Sequence, residues 1–193
     1  MKLQIVIAGI GGQGILFTAN IFIKLAQQRG LSLLGSETHG MSQRGGSVTA
    51  HIKIGDFKSP LVGEGDADIL MSFDSAEAHR NLAFLRAANL DGGAFCIVNV
   101  TGGEIFPNPK VAGELFRLGT KIHTCTADQE AAKIGNIRAA NLVLLGFSAN
   151  LPDFPFSSEE ITDAVSSISP PNQKKSNMEA FFAGQALKDL YVI

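Results

Sequence analysis

Apolar and polar positions in the first part of the chain follow strand and helix periods in turn. An apolar run over residues 3–8 ends at a glycine, which predicts a buried β-strand. From Gln13 to Arg29 apolar residues recur at helical spacing, and Gly30 follows as a residue typical of a helix C-terminus. Residues 31–34 predict a second strand. This succession of strand, glycine turn, helix and strand predicts a parallel pair of strands joined by a right-handed crossover.

The rest of the chain continues the alternation. Residues 48–54 alternate apolar and polar side chains, which predicts a strand with one wetter face that carries His51, a surface or interface histidine. Apolar runs predict further strands at 68–73, 94–100 and 121–126. Helices are predicted from an N-cap at Ser75 to about Ala88, from about Thr126, over about 139–149, and twice after residue 157.

This alternation of strands and helices indicates the α/β class. We expect a single domain over residues 1–193, built on a three-layer, Rossmann-like and mostly parallel sheet with helices on both faces. A helical C-terminal segment over about 157–193 is expected either to pack on this domain or to reach a partner chain.

The charge balance narrows the classes of partner. The 193 residues carry a formal net charge of −2, and 18% of them are charged, against roughly 25% in an average domain. A nucleic-acid-binding protein needs a basic patch, which this balance does not favour. A low charge content is typical of a large α/β core or of a surface covered by another subunit.

Membrane insertion and export are not expected from the sequence. Its apolar stretches are shorter than the roughly 20 residues that a transmembrane helix needs. The first residues also lack the basic and apolar regions of a signal peptide. The sequence therefore predicts a soluble, cytoplasmic protein without a membrane partner.

The cysteine content argues against a metal centre held by this chain alone. Cys96 and Cys125 lie in apolar runs, so buried thiols are expected, and no C-x-x-C pair is present. An iron–sulfur cluster or a structural zinc site needs four ligands. The histidines are dispersed without the spacing of metal ligands: His39, His51, His79 and His123.

The segment from Gly9 to Gly14 reads G-I-G-G-Q-G and fits the G-x-G-x-x-G pattern between a strand and a helix. In this pattern Gly9 is expected to permit the tight turn, Gly11 to let the main chain approach a phosphate, and Gly14 to let the helix pack near the strand. Because the start of a helix offers free amides and partial positive charge, the segment predicts a turn that binds a phosphate or another anion.

The residues alone leave NAD or FAD open as the source of that anion. A dinucleotide site requires an acidic residue about 20 positions further on, at the end of the second strand. Glu37 is the candidate, but it comes slightly late and in a glycine-bearing loop. The turn also carries an extra glycine, Gly12, and a polar Gln13. A free-standing dinucleotide-binding protein is therefore one alternative.

A second candidate binding segment follows Glu37. Arg44, Gly45 and Gly46 combine a guanidinium fork with a backbone that allows close approach, which suits a phosphate or a carboxylate. A salt bridge between Arg44 and Glu37 is the simpler alternative. Ser42 lies beside them, but neither a G-x-S-x-G pattern nor a catalytic triad accompanies it.

The stretch G-N-I-R-A-A-N at 135–141 is a third segment of interest. It is either a functional loop that leads into a helix, or a turn that is capped by Asn136 or Asn141.

Five stretches together resemble one known family. They are IVIAGIGGQGILFTANI, ETHGMSQRGGSVTAHIKIG, GDADILMSFDSAEAHRNL, GNIRAANLVLLG and NMEAFFAGQ, and they cover nearly the whole chain. They resemble the gamma-type component of 2-oxoacid:ferredoxin oxidoreductases. Pyruvate-type members usually carry a Tyr-Gly-Pro-Glu-Ala-Arg-Gly-Gly loop, whereas this chain has HGMSQRGG at 39–46. That difference indicates the branch of indolepyruvate ferredoxin oxidoreductase beta subunits.

The resemblance implies a subunit of an enzyme that converts aryl 2-oxoacids to arylacetyl-CoA and reduces ferredoxin. It implies that thiamine diphosphate and 4Fe–4S clusters are bound by a larger partner subunit, and that ferredoxin is reached through the complex. It also implies that this chain alone has no catalytic residue and no activity. It also implies a contact with coenzyme A, for which the candidate residues are Gly9, Gly11, Gly12, Gln13, Gly14, Ser42, Arg44 and Gly45. The gamma subunit of a pyruvate or 2-oxoglutarate enzyme, or a purely structural subunit, is the alternative.

Overall fold

The strands and helices alternate along the chain in the computed structural model, which describes residues 1–39, 45–87, 93–102, 105–106 and 108–190. The strands are β1 (Leu3–Ile10), β2 (Leu33–His39), β3 (Ser47–Ile54), β4 (Ile69–Ser72), β5 (Phe95–Asn99) and β6 (Lys121–Cys125). The helices are α1 (Ile15–Gln28), α2 (Ser75–Asn81), α3 (Pro109–Arg117), α4 (Ala127–Lys133), α5 (Ala140–Ala149), α6 (Ser158–Ile168) and α7 (Lys174–Gln185). The sequence pattern predicted all of these except α3, but β2 begins and ends later than the predicted 31–34, so Glu37 lies in a strand and not in the predicted loop.

The strands form a mixed sheet in the order β2-β3-β1-β4-β5-β6. Strands β1, β4, β5 and β6 pair in parallel, whereas β3 is antiparallel to both of its neighbours, β1 and β2. The predicted mostly parallel α/β sheet is therefore confirmed. The predicted pairing of β1 with β2 is wrong, because β3 returns between them and hydrogen-bonds to each.

Alternate residues of the central strands contribute to two cores, one on each face of the sheet. Ile5 and Ile7 of β1 pack in a core with residues of α1, α5, α6 and α7. Val6 and Ala8 pack in a second core with residues of α2 and α3. Because successive side chains of a strand point to opposite faces, this division confirms helices on both faces. The C-terminal helices α6 and α7 pack on the first face.

The predicted wetter face of β3 is buried. His51 and Lys53 are only 6% and 7% exposed, because neighbouring segments pack against them. Nδ1 of His51 accepts a hydrogen bond from the Val62 amide at 3.3 Å, its ring meets Phe84 edge-on, and Lys53 lies over the ring of Phe57. Burial, and secondarily the charge of Lys53, lower the pKa of His51. The interpretation of His51 as a surface or interface residue is therefore wrong.

Helix α2 begins and ends earlier than predicted. The N-cap is Asp74 rather than Ser75, since the Asp74 carboxylate accepts hydrogen bonds from the amides of Ala76 and Glu77. A 3-10 turn follows Asn81, and Leu85 then forms a parallel bridge with Ala67 instead of continuing the helix.

Helix α7 also ends earlier than predicted, because the chain beyond it leaves towards the edge strand β6. The amide of Leu190 donates to the carbonyl of Thr124 at 2.9 Å. The Asp189 carboxylate accepts from the Thr124 amide at 2.9 Å and lies 2.6 Å from Nδ1 of His123. These contacts fix Asp189 and Leu190 against β6.

Candidate functional site

The glycine turn joins the end of β1 to the start of α1. Gly12 and Gly14 have φ values of 102° and 83°, which favour glycine, and Gly14 is the N-cap of α1. These two residues, rather than Gly9, therefore make the tight turn. Gly9 lies within β1, and a Cβ there would lie 2.7 Å from Oε1 of Gln13 and 3.3 Å from Cβ of Phe73. Its lack of a side chain leaves room for Gln13.

The side chain of Gln13 holds the turn in shape. Its Oε1 accepts a hydrogen bond from the Ile10 amide at 2.7 Å, and its Nε2 donates to the Phe73 carbonyl at 3.3 Å. The oxygen and the nitrogen of this side-chain amide therefore each hydrogen-bond to a backbone group, one at Ile10 and one at Phe73. Gln13 links the end of β1 to the end of β4.

The turn meets the second glycine segment directly. The amide of Gly11 donates to the carbonyl of Gly46 at 2.8 Å. Gly45 is exposed and has a φ of 76°. A Cβ on Gly11 would meet only ordinary contacts at 3.6 Å from Gly45 and Gly46. The structure thus brings Gly11, Gly45 and Gly46 together, whereas Ser42 and Arg44 lie outside the described residues.

The start of α1 carries the partial positive charge that the sequence predicted. No side chain of the described residues caps this helix, and its first turn has no acidic residue. The first amides of any helix lack intrahelical acceptors, and the helix dipole adds to their attraction for a negative group. The arrangement can bind a phosphate or carboxylate through main-chain amides alone.

The turn lies where ligands commonly bind in an α/β sheet. After β1 the chain crosses to one face through α1, whereas after the neighbouring β4 it crosses to the other face through α2. The crevice at such a switch point, outside the carboxyl ends of the strands, is a usual ligand position. Asn99, the last residue of β5, lies at the same edge of the sheet. Its Nδ2 donates hydrogen bonds to the Phe73 carbonyl at 3.1 Å and to the Asp128 carboxylate at 2.7 Å.

Glu37 does not stand where a dinucleotide site requires an acid. It lies in β2, which is separated from β1 by β3. Since neighbouring strands are about 4.8 Å apart, β2 lies about 10 Å from β1. In the dinucleotide-binding fold the acidic residue follows a strand adjacent to the glycine turn. This topology argues against the NAD or FAD alternative.

Residues of the G-N-I-R-A-A-N stretch also reach the turn, and sequence reasoning did not predict this contact. Asn141 is buried, and its Nδ2 lies 3.4 Å from both the Gly14 carbonyl and Oγ1 of Thr18. A Cβ on Gly14 would lie 2.5 Å from that Nδ2. Neither Asn136 nor Asn141 caps a helix through its side chain. The close packing at Gly14 is thus against α5 and not against a strand.

The remaining candidates for chemistry are buried or isolated. Cys96 and Cys125 are 0% and 1% exposed, as predicted, and burial raises the pKa of each thiol to about 12. Within the described ranges, no cluster of three or more His, Cys, Asp or Glu side chains is placed to bind a metal. In the same ranges, every helix is too short or too polar to cross a bilayer.

Comparison with known proteins gives consistent matches over the whole chain. Residues 4–187 match the model of the family described as pyruvate ferredoxin/flavodoxin oxidoreductase. Indolepyruvate oxidoreductase subunit IorB of Archaeoglobus fulgidus is 36% identical, covering 86% of this chain and 85% of that protein. The same subunit of Thermococcus kodakarensis is 37% identical, covering 97% and 96%. A 2-oxoglutarate synthase subunit KorC of Methanothermobacter thermautotrophicus is 25% identical, covering 97% and 95%.

Solved structures share the fold at lower identity. The gamma subunit of a keto/oxoacid ferredoxin oxidoreductase from Geobacter sulfurreducens superposes with a TM-score of 0.68 at 23% identity, covering 94% of this chain and 95% of that one. The 2-oxoglutarate:ferredoxin oxidoreductase of Magnetococcus marinus, solved with 2-oxoglutarate, coenzyme A and succinyl-CoA bound, superposes with a TM-score of 0.69 at 22% identity. That match covers 96% of this chain and 30% of the larger one.

Proposed function

Because the chain belongs to the pyruvate ferredoxin/flavodoxin oxidoreductase family, we propose that it is the small, gamma-type subunit of an aryl 2-oxoacid:ferredoxin oxidoreductase. The complete enzyme converts an aryl 2-oxoacid and coenzyme A to arylacetyl-CoA and carbon dioxide, and passes two electrons to ferredoxin. Indolepyruvate is the substrate proposed for testing first. The observation that carries this choice is the identity of 36–37% with indolepyruvate oxidoreductase subunits over at least 85% of both chains, against 25% with a 2-oxoglutarate synthase subunit.

The redox cofactors of this reaction belong to a larger partner subunit. Thiamine diphosphate supplies the carbanion chemistry and iron–sulfur clusters carry the electrons to ferredoxin. A 4Fe–4S cluster needs four cysteine thiolates, whereas this chain has two cysteines, both buried and with a pKa raised to about 12. The residues present do not fit a 4Fe–4S cluster, and the role proposed for this chain is to form one wall of the binding site.

Coenzyme A fits the residues that this chain offers at the glycine turn. Its phosphates suit the free amides at the start of α1, which follow the positive-φ residues Gly12 and Gly14 and lie beside Gly11, Gly45 and Gly46. Gln13 and Gly9 then act as positioning residues that keep the turn in shape. Arg44 is proposed to add a guanidinium contact to the same phosphates.

The test is reconstitution with the larger, thiamine- and cluster-binding subunit from the same organism. The purified complex is expected to reduce ferredoxin or a viologen dye with indolepyruvate only when coenzyme A is present. Rates with pyruvate and 2-oxoglutarate are expected to be much lower. This chain alone is expected to be inactive and to bind neither NADH nor FAD at millimolar concentration. Activity of the chain without a partner, or NADH binding that Glu37→Ala weakens, would favour the dinucleotide alternative.

A contact with coenzyme A is separated from a purely structural role by Arg44→Ala in the complex. Loss of one charged hydrogen-bonding partner is expected to weaken the apparent affinity for coenzyme A by roughly 1.5–3 kcal/mol. Lys58→Ala, which removes an exposed positive charge beyond β3, is the control and is expected to change nothing. Unchanged affinity in Arg44→Ala would support a structural role.

A further inference from the structure

A cleft of about 340 Å³ opens beside the glycine turn, and the function proposed above does not use it. The first turns of α1, α5 and α7 line it. Its polar lining includes the Gly14 backbone and the side chains of Asn136, Arg138, Gln173, Ser176 and Asn177. Its volume lies in the range of sites for small organic ligands, at the lower end of roughly 300–1,000 Å³. We call it the α1–α5–α7 cleft.

Arg138 is distinguished from the other arginines of the described ranges by its lack of an acidic partner. Arg29, Arg80, Arg86 and Arg117 each lie within ion-pair distance of a carboxylate. No such pair forms at Arg138 among the described residues, and no acidic side chain lines the cleft. Arg138 is solvent-exposed, so the cleft carries at its rim one guanidinium that has no ion-pair partner among the described residues.

The helix starts around the cleft add positive potential of the same sign. Neither α1, α5 nor α7 has a side-chain cap or an acidic residue in its first turn. Helix α7 begins with Lys174 and Lys175, which oppose its own dipole. By contrast, α2 and α6, which begin elsewhere, are capped by Asp74 and Ser157 and have acidic first turns. Helix α3 has a side-chain cap but no acidic residue in its first turn, and α4 has acidic residues but no cap. Among the described helices, the lack of both features is therefore limited to those that meet at the cleft.

Together these features point to a doubly charged anion as the occupant. Arg138 provides a bidentate donor, and the uncharged Asn136, Gln173 and Ser176 provide further polar groups around it. Asn177, only 8% exposed, is fixed by a hydrogen bond from its Nδ2 to Oγ of Ser169 at 2.9 Å. A phosphate monoester on a small organic group matches both the charge and the volume.

Gly14 belongs to both the glycine turn and the cleft. Coenzyme A carries a diphosphate and a phosphate monoester on the 5′ and 3′ positions of one ribose. We propose that the α1–α5–α7 cleft binds the 3′-phosphate of coenzyme A through Arg138 while the turn binds its diphosphate. This inference rests on the proposed function, and it assigns to one face of this chain the discrimination between coenzyme A and its 3′-dephosphorylated form.

The test compares coenzyme A with dephospho-coenzyme A in the reconstituted complex. Wild type is expected to show an apparent KM at least tenfold lower for coenzyme A. Arg138→Ala is expected to raise the KM for coenzyme A about tenfold and to leave the KM for dephospho-coenzyme A and kcat unchanged. Arg138→Lys is expected to recover part of the lost affinity for coenzyme A. Arg117→Ala, which removes an exposed arginine on the opposite face of the sheet, is the matched control and is expected to match wild type.

A binding titration of the same complex reports on the cleft without turnover. Adenosine 3′,5′-bisphosphate is expected to bind wild type more tightly than AMP or inorganic phosphate, and Arg138→Ala is expected to abolish the difference. Equal KM values for the two coenzymes in wild type, or an equal rise of both in Arg138→Ala, would overturn the inference and leave the proposed function standing. Tight bisphosphate binding in a complex without oxidoreductase activity would instead overturn the proposed function alone.

Discussion

Nδ2 of Asn141 lies 3.4 Å from the carbonyl oxygen of Gly14, so the start of α5 touches the end of the glycine turn. Gly14 adopts a φ of 83° and leaves no room for a side chain on that side. The turn that begins α1 is thus shaped both by its own glycines and by a residue 127 positions further along the chain.

Gly14→Ala is expected to destabilise the fold more than Gly12→Ala. Both place a side chain at positive φ, which costs about 1–2 kcal/mol. Only the Cβ at position 14 would also meet Asn141, at 2.5 Å, while no described residue lies within 4 Å of a Cβ at position 12. Urea unfolding measures the two costs.

The double variant Gly14→Ala with Asn141→Ala isolates the steric part of that cost. Removing the Asn141 amide makes room for the new methyl group, so the double variant is expected to lose less stability than the sum of the single variants. Strict additivity would show that the two residues do not press on each other.

Gly184→Ala and Gly146→Ala are each expected to destabilise the fold by about 3 kcal/mol. A Cβ at position 146 would lie 1.9 Å from the Phe181 carbonyl oxygen, and one at 184 would lie 1.9 Å from that of Val143. Helices α5 and α7 therefore touch backbone to backbone at these glycines. Thermal unfolding of the two variants measures the loss.

Gly113→Ala is the control for this pair. Gly113 lies within α3, and no described residue lies within 4 Å of a Cβ there. Alanine is the better helix former by roughly 0.5–1 kcal/mol, so this variant is expected to match or exceed the wild-type Tm. A wild-type Tm in Gly184→Ala would contradict the close helix contact.

Glu160→Gln is expected to be less stable than wild type at pH 7 and equally stable in strong acid. Glu160 accepts hydrogen bonds from Nε and Nη2 of Arg29 at 2.6 and 2.7 Å, which is the main reason its pKa falls from 4.5 to about 2. Since the folded pKa lies below the unfolded one, this stability is present above pH 4.5 and is lost as the pH falls towards 2.

The size of this effect is limited by solvent. The Glu160 and Arg29 side chains are about one-third exposed, so about 1 kcal/mol is expected at pH 7. Urea unfolding at several pH values measures the difference, and Glu159→Gln, in the same exposed turn, is the control. A difference between wild type and Glu160→Gln that stays constant from pH 7 to pH 3 would contradict the assignment.

Neither cysteine is expected to react with a thiol reagent while the protein is folded. Burial raises the pKa of Cys96 and Cys125 to about 12, so the reactive thiolate is scarce and inaccessible at neutral pH. An aromatic disulfide reagent at pH 8 is expected to titrate no thiol in buffer and two in guanidinium chloride. Rapid reaction of either thiol in buffer would show that its strand opens readily.

Local patterns in the sequence were sufficient to predict most of the strands and the glycine turn. The apolar run of β1, the G-I-G-G-Q-G segment and the periodic residues of α1 are contiguous, so their structure follows from local backbone preferences and burial. The two buried cysteines were predicted for the same reason. Helix α3 was missed, although Asn108 caps it and Pro109 opens it.

Pairing and burial could not be predicted from the same patterns. His51 was expected on a wetter face, but whether an alternating strand faces water depends on segments elsewhere that cover it, here Val62 and Phe84. Glu37 was placed near the turn by its spacing along the chain. The insertion of β3 between β1 and β2 separates the two in space.

The sequence by itself determined an α/β protein with a glycine turn between its first strand and first helix, because glycine freedom, helix ends and apolar periods act over a few residues. Tertiary structure decided which other groups surround that turn. It brought Gly46 to Gly11, placed Asn141 against Gly14, and gathered the starts of three helices around Arg138. These are contacts between distant segments, set by strand order and helix packing, and no local pattern specifies them.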